Sequence, residues 1–284
     1  MADTAFQRQY RQEFVHGFED MQSILRSVCI TEAQMKGNEA VFLVADSGSA
    51  TAVTRGSNGL IQARADNLSQ ITCTLSEWHD LVRKTDFNVF ASQGNQRRIM
   101  QETTMAVINR KIDDQIIEQL DTFTNDTGTA AVATIDMVMM AQTILGNNFV
   151  DLSDESNLFG VITPAFRAYL MQNTEFSDAD YVDVKPFAGP VRRFVRWAGV
   201  NWMVHPRLTG SIGKGSTSAS EQCFMLHRNA VGHAADTGGM TNVVGYDEEQ
   251  GYSFARVSIH MGAKLLQNAG GVMMKHNGSA YAAA

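Results

Sequence analysis

Three Asp-Ser/Thr-Gly triplets stand in the chain: Asp46-Ser47-Gly48, Asp126-Thr127-Gly128 and Asp236-Thr237-Gly238. Two such carboxylates sharing one proton at close range would make an aspartic protease. The first triplet follows an apolar strand, Val41 to Val44, as that chemistry requires. Thr124-Asn125 precedes the second and His233-Ala234-Ala235 the third, and neither is apolar enough. Asp-Thr-Gly is also ordinary turn sequence. A protease-like enzyme built on Asp46 therefore stands only as an alternative. Gly210-Ser211-Ile212-Gly213-Lys214-Gly215-Ser216 has the glycines of a phosphate loop, but Gly215 follows the lysine where Ser or Thr is needed. The seven histidines show no metal-ligand spacing. Cys29, Cys73 and Cys223 are far apart and form no C-x-x-C pair. Asp113 and Asp114 are adjacent on a helical pattern, so their side chains point about 100° apart and do not converge. No catalytic, cofactor-binding or metal residue is assigned, and the chain reads as a non-enzyme.

The elements around these groups are clearer. Residues 97 to 123 read as one long helix, with Ile108, Ile112, Ile116 and Leu120 as an apolar stripe. Arg110 precedes Asp114 by four residues, a spacing for an ion pair on the wet side. Residues 3 to 28 read as an amphipathic helix carrying Phe6, Tyr10, Phe14 and Phe18. Ala40 to Val44 and Ile71 to Leu75 read as strands, and between them Ser57-Asn58-Gly59 favours a tight turn. That hairpin has too few large apolar residues to bury a core of its own. Ser76 is an expected N-cap for a short helix with Trp78 and Leu81. Thr134 begins a Met-rich helix that ends at Gly146-Asn147-Asn148. Leu158 to Thr163 is an expected strand, and Pro164 opens the next helix. Strand patterns recur at 193–204, 222–226, 241–246, 251–262 and 272–276, with a phase slip near Ala255-Arg256 that predicts a bulge. Strand groups distant in sequence, with no β-α-β rhythm, indicate an α+β fold.

Apolar residues make up 44% of the 284, enough for a full core. A net charge of −7 argues against a dedicated nucleic-acid binder. No stretch reaches the roughly 20 apolar residues of a membrane span, and the N-terminus lacks a signal-peptide core. Unpaired cysteines fit a reducing compartment. A soluble protein made in the cytoplasm is expected, with no membrane partner.

Several short pieces, in order, resemble the major capsid proteins of tailed bacteriophages. They are Phe6-Gln7-Arg8-Gln9-Tyr10 with Leu25-Arg26-Ser27-Val28; Arg97-Arg98 with Asn109 to Ile117; Phe176 to Tyr181; Cys223-Phe224-Met225 leading to Asn229-Ala230-Val231-Gly232; and Gly262-Ala263-Lys264-Leu265. The resemblance implies the capsid fold of the Hong Kong ninety-seven type. It maps 1–38 to an N-terminal arm and 39–76 to an extended β-hairpin loop. Residues 77–133 map to a peripheral domain with a spine helix, 134–250 to a mostly axial domain, and 251–284 to a return to the peripheral domain.

The implied function is a major capsid protein, self-assembling as pentamers and hexamers into an icosahedral shell around double-stranded DNA. Implied partners are other copies, a separate scaffolding protein, a portal, a decoration protein and loosely touched DNA. The implied location is the virion, after assembly in the host cytoplasm. A minor structural or decoration protein is the second alternative. Relatives tend to carry Thr-Pro after an Arg-x-Gly run, and Thr54-Arg55-Gly56-Ser57-Asn58-Gly59 lacks the proline. No lysine lies between Lys36 and Lys84, so no lysine crosslink from the loop is expected. Expected subunit-interface residues are Phe6, Tyr10, Phe14 and Phe18 of the arm and Arg110, Asp113 and Asp114 of the spine.

Overall fold

A computed structural model describes residues 23–31, 34–46, 50–64, 67–85, 88, 96–173, 194–211, 220–236 and 239–279. The strands of the first half are β1 (Gln34–Lys36), β2 (Glu39–Asp46), β3 (Asn67–Thr74), β4 (Ser76–Thr85) and β5 (Leu158–Ile162). Those of the second half are β6 (Val195–Trp197), β7 (Val200–Val204), β8 (Glu221–His227), β9 (Val231–Ala235), β10 (Thr241–Asp247), β11 (Tyr252–Leu265) and β12 (Gly271–His276). The helices are α1 (Gln96–Leu120), α2 (Ile135–Asn147) and α3 (Pro164–Leu170). The mixed architecture is the α+β fold expected. The chain divides into two units: one of Met1–Leu25, Ser76–Asp113 and Ala235–Met261, the other of Arg26–Leu75, Asp114–Ala234 and Gly262–Ala284.

In the first unit β10, β11 and β4 form antiparallel neighbours in that order. The expected helix after Ser76 is strand β4. Its burial alternates, with Trp78, Asp80, Val82 and Lys84 half-buried and the residues between them exposed. A single chain segment cannot reveal the partner that imposes this period: β11 pairs with it without a break from Tyr252↔Thr85 to Met261↔Ser76. That unbroken ladder also removes the expected bulge. Ser253, Ala255, Val257, Ile259 and Met261 share the buried face. Tyr252 and Phe254 stand on the opposite face with Arg256, so the apparent phase slip is aromatics on the outer face. Arg83 lies over the Tyr252 ring, 4.9 Å from its centroid.

Helix α1 follows its apolar stripe. Ile108, Ile112, Ile116 and Leu120 are each at most 2% exposed. Its 25 residues span about 37 Å at the usual rise. By contrast, the described end of the expected N-terminal helix is not α-helical. Leu25–Ser27 is a single 3₁₀ turn, with Leu25 buried.

The second unit has two sheets. Five strands run β12-β8-β5-β7-β6, with β5 and β7 parallel and the other pairs antiparallel. Every residue of β5, Leu158-Phe159-Gly160-Val161-Ile162, is buried, as a short apolar run covered on both faces must be. Helix α2 contributes Met137, Val138, Ala141 and Leu145 to the core, and α3 contributes Phe166 and Leu170. These spacings place one helical stripe on the sheet. Thr163 caps α3 by accepting the Phe166 amide hydrogen bond at 3.1 Å, and Pro164 fills the first position as expected. The expected strand over 193–204 is instead the hairpin β6–β7, turned at Ala198 and Gly199, both with positive φ.

The second sheet is β1-β2-β3. Its base packs Ala40, Phe42 and Cys73 against Ala234. Gly232 is required there: a Cβ would meet the Phe42 ring at 2.7 Å. β1 and β9 were not legible as strands, being short and flanked by turn residues.

Candidate functional site

Two of the aspartates singled out in the sequence, Asp126 and Asp236, have local partners. Asp126 accepts from the Lys275 ammonium at 2.7 Å and from the Gly128 amide at 2.8 Å. The lysine bond, then the amide, hold its carboxyl below the usual carboxylate range. Asp236 lies 3.7 Å from His260, and its carbonyl accepts the Gly239 amide in a turn. Asp46 ends β2 opposite Asn67. The side chain of Asp46 lies outside the described residues, and Asp126 and Asp236 occupy turns with basic neighbours. Lys214 and its flanking glycines lie outside the described residues. Ser211, just before them, is buried, and the Ser211 amide donates to the Leu208 carbonyl. The three cysteines are free and buried, and burial pushes the Cys223 thiol up to about 12. Among the described residues no group of three or more His, Cys, Asp or Glu could hold a metal ion. No helix among them is long and apolar enough to cross a membrane.

The adjacent carboxylates of α1 diverge, as their helical offset requires. Asp113 is not on a wet face: it is 4% exposed. It accepts from the Ser23 hydroxyl at 2.6 Å and from the amides of Ile24 at 3.2 Å and Leu25 at 3.1 Å. The carboxylate thereby seats the segment Ser23 to Leu25 on the helix. Asp114 takes Arg207 at 2.6 Å rather than the expected Arg110. Arg110 is half-buried, and its charge works against the burial that raises the Asp80 carboxyl. Lys111 lies 4.3 Å over the Trp78 ring. Sequence spacing could not find Arg207 or Ser23, because both reach the helix from about 90 residues away. Phe6, Tyr10, Phe14 and Phe18 lie outside the described residues.

What the described residues do offer is surface for contact. β2 and β3 pair from Glu39↔Thr74 to Asp46↔Asn67. Beyond them residues 50–64 are exposed throughout and belong to no strand. One turn closes that segment: the Gly56 amide donates to the Leu60 carbonyl at 3.0 Å, and the Gly59 amide to the Gly56 carbonyl at 2.9 Å. Val53, Leu60 and Ile61 are 55%, 76% and 63% exposed. On the hairpin arms, Leu43 and Leu68 are also exposed. Apolar side chains held out on a two-stranded stalk cannot stabilise the subunit that carries them. They are suited to covering something else.

The comparisons with known proteins agree with that geometry. The phage capsid protein family matches residues 2–277. No curated protein matches the chain in sequence. Among solved structures, that of Mycobacterium phage Che8 is similar with a TM-score of 0.74 at 14% identity, covering 96% of this chain and 98% of that one. The capsid of a native GTA particle gives a TM-score of 0.72 at 12% identity, over 96% of both chains. The capsid of Ralstonia phage GP4 gives 0.70 at 12% identity, over 97% of this chain and 96% of that one. The fold is therefore that of the tailed-phage capsids, and with a match spanning nearly its whole length this chain belongs to the phage capsid protein family.

Proposed function

We propose that this capsid protein is the major shell subunit of a tailed phage, assembling as pentamers and hexamers into an icosahedral shell around double-stranded DNA. The observation that carries the reading is the exposed hairpin, whose apolar tip joins no core among the described residues. Residues 1–38 act as the arm, 39–76 as the extended loop, 77–133 and 251–284 as the peripheral domain, and 134–250 as most of the axial domain. The arm lays Phe6, Tyr10, Phe14 and Phe18 on a neighbouring copy. Burying that stripe contributes several kcal/mol at roughly 25 cal/mol per Å² of apolar surface. Asp113 serves the arm from inside its own subunit. Arg110 and Asp114, only half-buried, remain as contacts toward other copies. The role is structural rather than enzymatic. A separate scaffolding protein, a portal, a decoration protein and loosely held DNA complete the assembly in the host cytoplasm.

Negative-stain microscopy of the purified chain tests this reading. Uniform hollow particles are the expected result, and a stable monomer at every concentration overturns it. Deleting residues 1–22 tests the arm and leaves the Ser23 to Leu25 seat on Asp113 intact. The truncated chain is expected to give folded capsomers without shells, read by sedimentation. Normal shells from it overturn the arm assignment.

A further inference from the structure

Helix α2 ends in a way its sequence does not favour. The Phe149 amide donates to the Gly146 carbonyl at 3.0 Å, and the Val150 amide reaches back to the Leu145 carbonyl at 3.1 Å. This pair of bonds is the Schellman arrangement, which requires a left-handed residue just past the helix. Glycine is the usual occupant and asparagine the next. Here the residue is Phe149, with φ 61. A bulky side chain in that region is strained. The phenylalanine is also 92% exposed, so among the described residues its ring obtains almost no packing in return. Val150, the following residue, makes the inward apolar contact of the motif by packing on the core with Leu145. The fold of the subunit thus accounts for Val150 and not for Phe149.

The surface of α2 leading to Phe149 is similar in kind. Met139 and Met140 are 50% and 48% exposed, and Thr143 and Asn147 follow on the same side at helical spacing. Asp136 is the only charged residue of this helix. In a chain of net charge −7, two copies repel through most of their surfaces. A strip whose one charge is Asp136, with an aromatic end and adaptable methionines, is where like copies can meet with little of that opposition. A basic partner would instead be met by acidic side chains, and the strip offers one.

We infer that Phe149, with the Met139-Met140 face of α2, is an anchor for a second copy of this chain, the ring being inserted into the neighbouring subunit on assembly. The inference rests on the capsid reading and adds a specific contact to it. Phe149→Gly separates the roles, because glycine suits the left-handed position. The variant is expected to melt at the same temperature as the parent or higher. Its assembly is expected to need about tenfold or more protein, the size of effect typical of an interface anchor. Phe149→Tyr, which keeps the ring, is expected to assemble nearly as the parent does. In a second arm, a benzophenone photo-crosslinker placed at position 149 is expected to give covalent dimers of the chain. Parent-like assembly by Phe149→Gly, or crosslinks to another protein alone, overturns the anchor while leaving the capsid reading standing. A parent chain that stays monomeric at every concentration overturns both.

Discussion

Leu158, Val161, Phe224 and Met225 of the five-stranded sheet are each 1% exposed or less, whereas every residue from 50 to 64 beyond the β2–β3 hairpin is exposed. Both regions belong to one unit of the chain. The sheet is covered by α2 and α3 and holds its own shape. The hairpin has a short ladder, a small core at its base, and then apolar side chains in water. Burial and exposure of apolar side chains are thus separated along one polypeptide. Substitutions in the sheet are expected to act on folding, and, on the proposed capsid reading, substitutions at the hairpin tip on association.

The largest effect expected is on the sheet side. Phe166 is fully buried, with its ring 6.5 Å from Trp202 and 5.1 Å from His276. Phe166→Ala should cost about 3–5 kcal/mol of stability. Denaturant unfolding of the assembly-incompetent subunit would measure it. A loss under about 1 kcal/mol would place the centre of the core elsewhere.

The ease of reading differed between the same two regions. The stripe of α1 and the apolar run of β5 announce themselves, because burial against a core imposes a local period. The weakness of the hairpin was legible too, from its lack of large apolar residues. Contacts made from far along the chain were not. Ser76-Glu77-Trp78 looks like a helix start until β11 pairs with it. Asp113 and Asp114 look like a wet pair until Ser23 and Arg207 arrive. Phe149 gives no local signal, because the left-handed position after a helix is expected to hold glycine or asparagine. A broken local rule is where the structure adds most.

A smaller effect on the sheet side depends on pH. His276 is fully buried, faces the rings of Phe166 and Tyr169 at 5.1 Å each, and accepts the Ala133 amide through Nδ1 at 3.1 Å. Burial pushes its pKa down to about 4 from 6.5. The folded state therefore keeps it neutral where the unfolded chain takes up a proton. Its contribution is fully present above about 6.5 and is lost as pH falls towards about 4, at up to about 1.4 kcal/mol per pH unit. Denaturant curves at about pH 7 and about pH 5 should show that decline. His276→Gln, which keeps an acceptor for the Ala133 amide, should flatten it. An equal decline in both proteins would assign the effect to other groups.

The hairpin sets the other end of the scale for folding. Leu60 and Ile61 are 76% and 63% exposed, so replacing both by Ser removes almost nothing that the folded subunit buries. Stability should change by less than about 0.5 kcal/mol, the ordinary range for surface positions. If the tip covers a neighbouring copy, the same substitutions remove apolar area buried only in the shell, and particle yield should fall while the melting temperature stays fixed. A lowered melting temperature would mean that the tip folds back on its own subunit. Unchanged yield and unchanged melting together would leave the tip without a partner and move the work of association to the arm and the Phe149 end of α2. The two readouts divide these cases because, among the described residues, the side chains of the tip, unlike those of the sheet, bury little that could be lost.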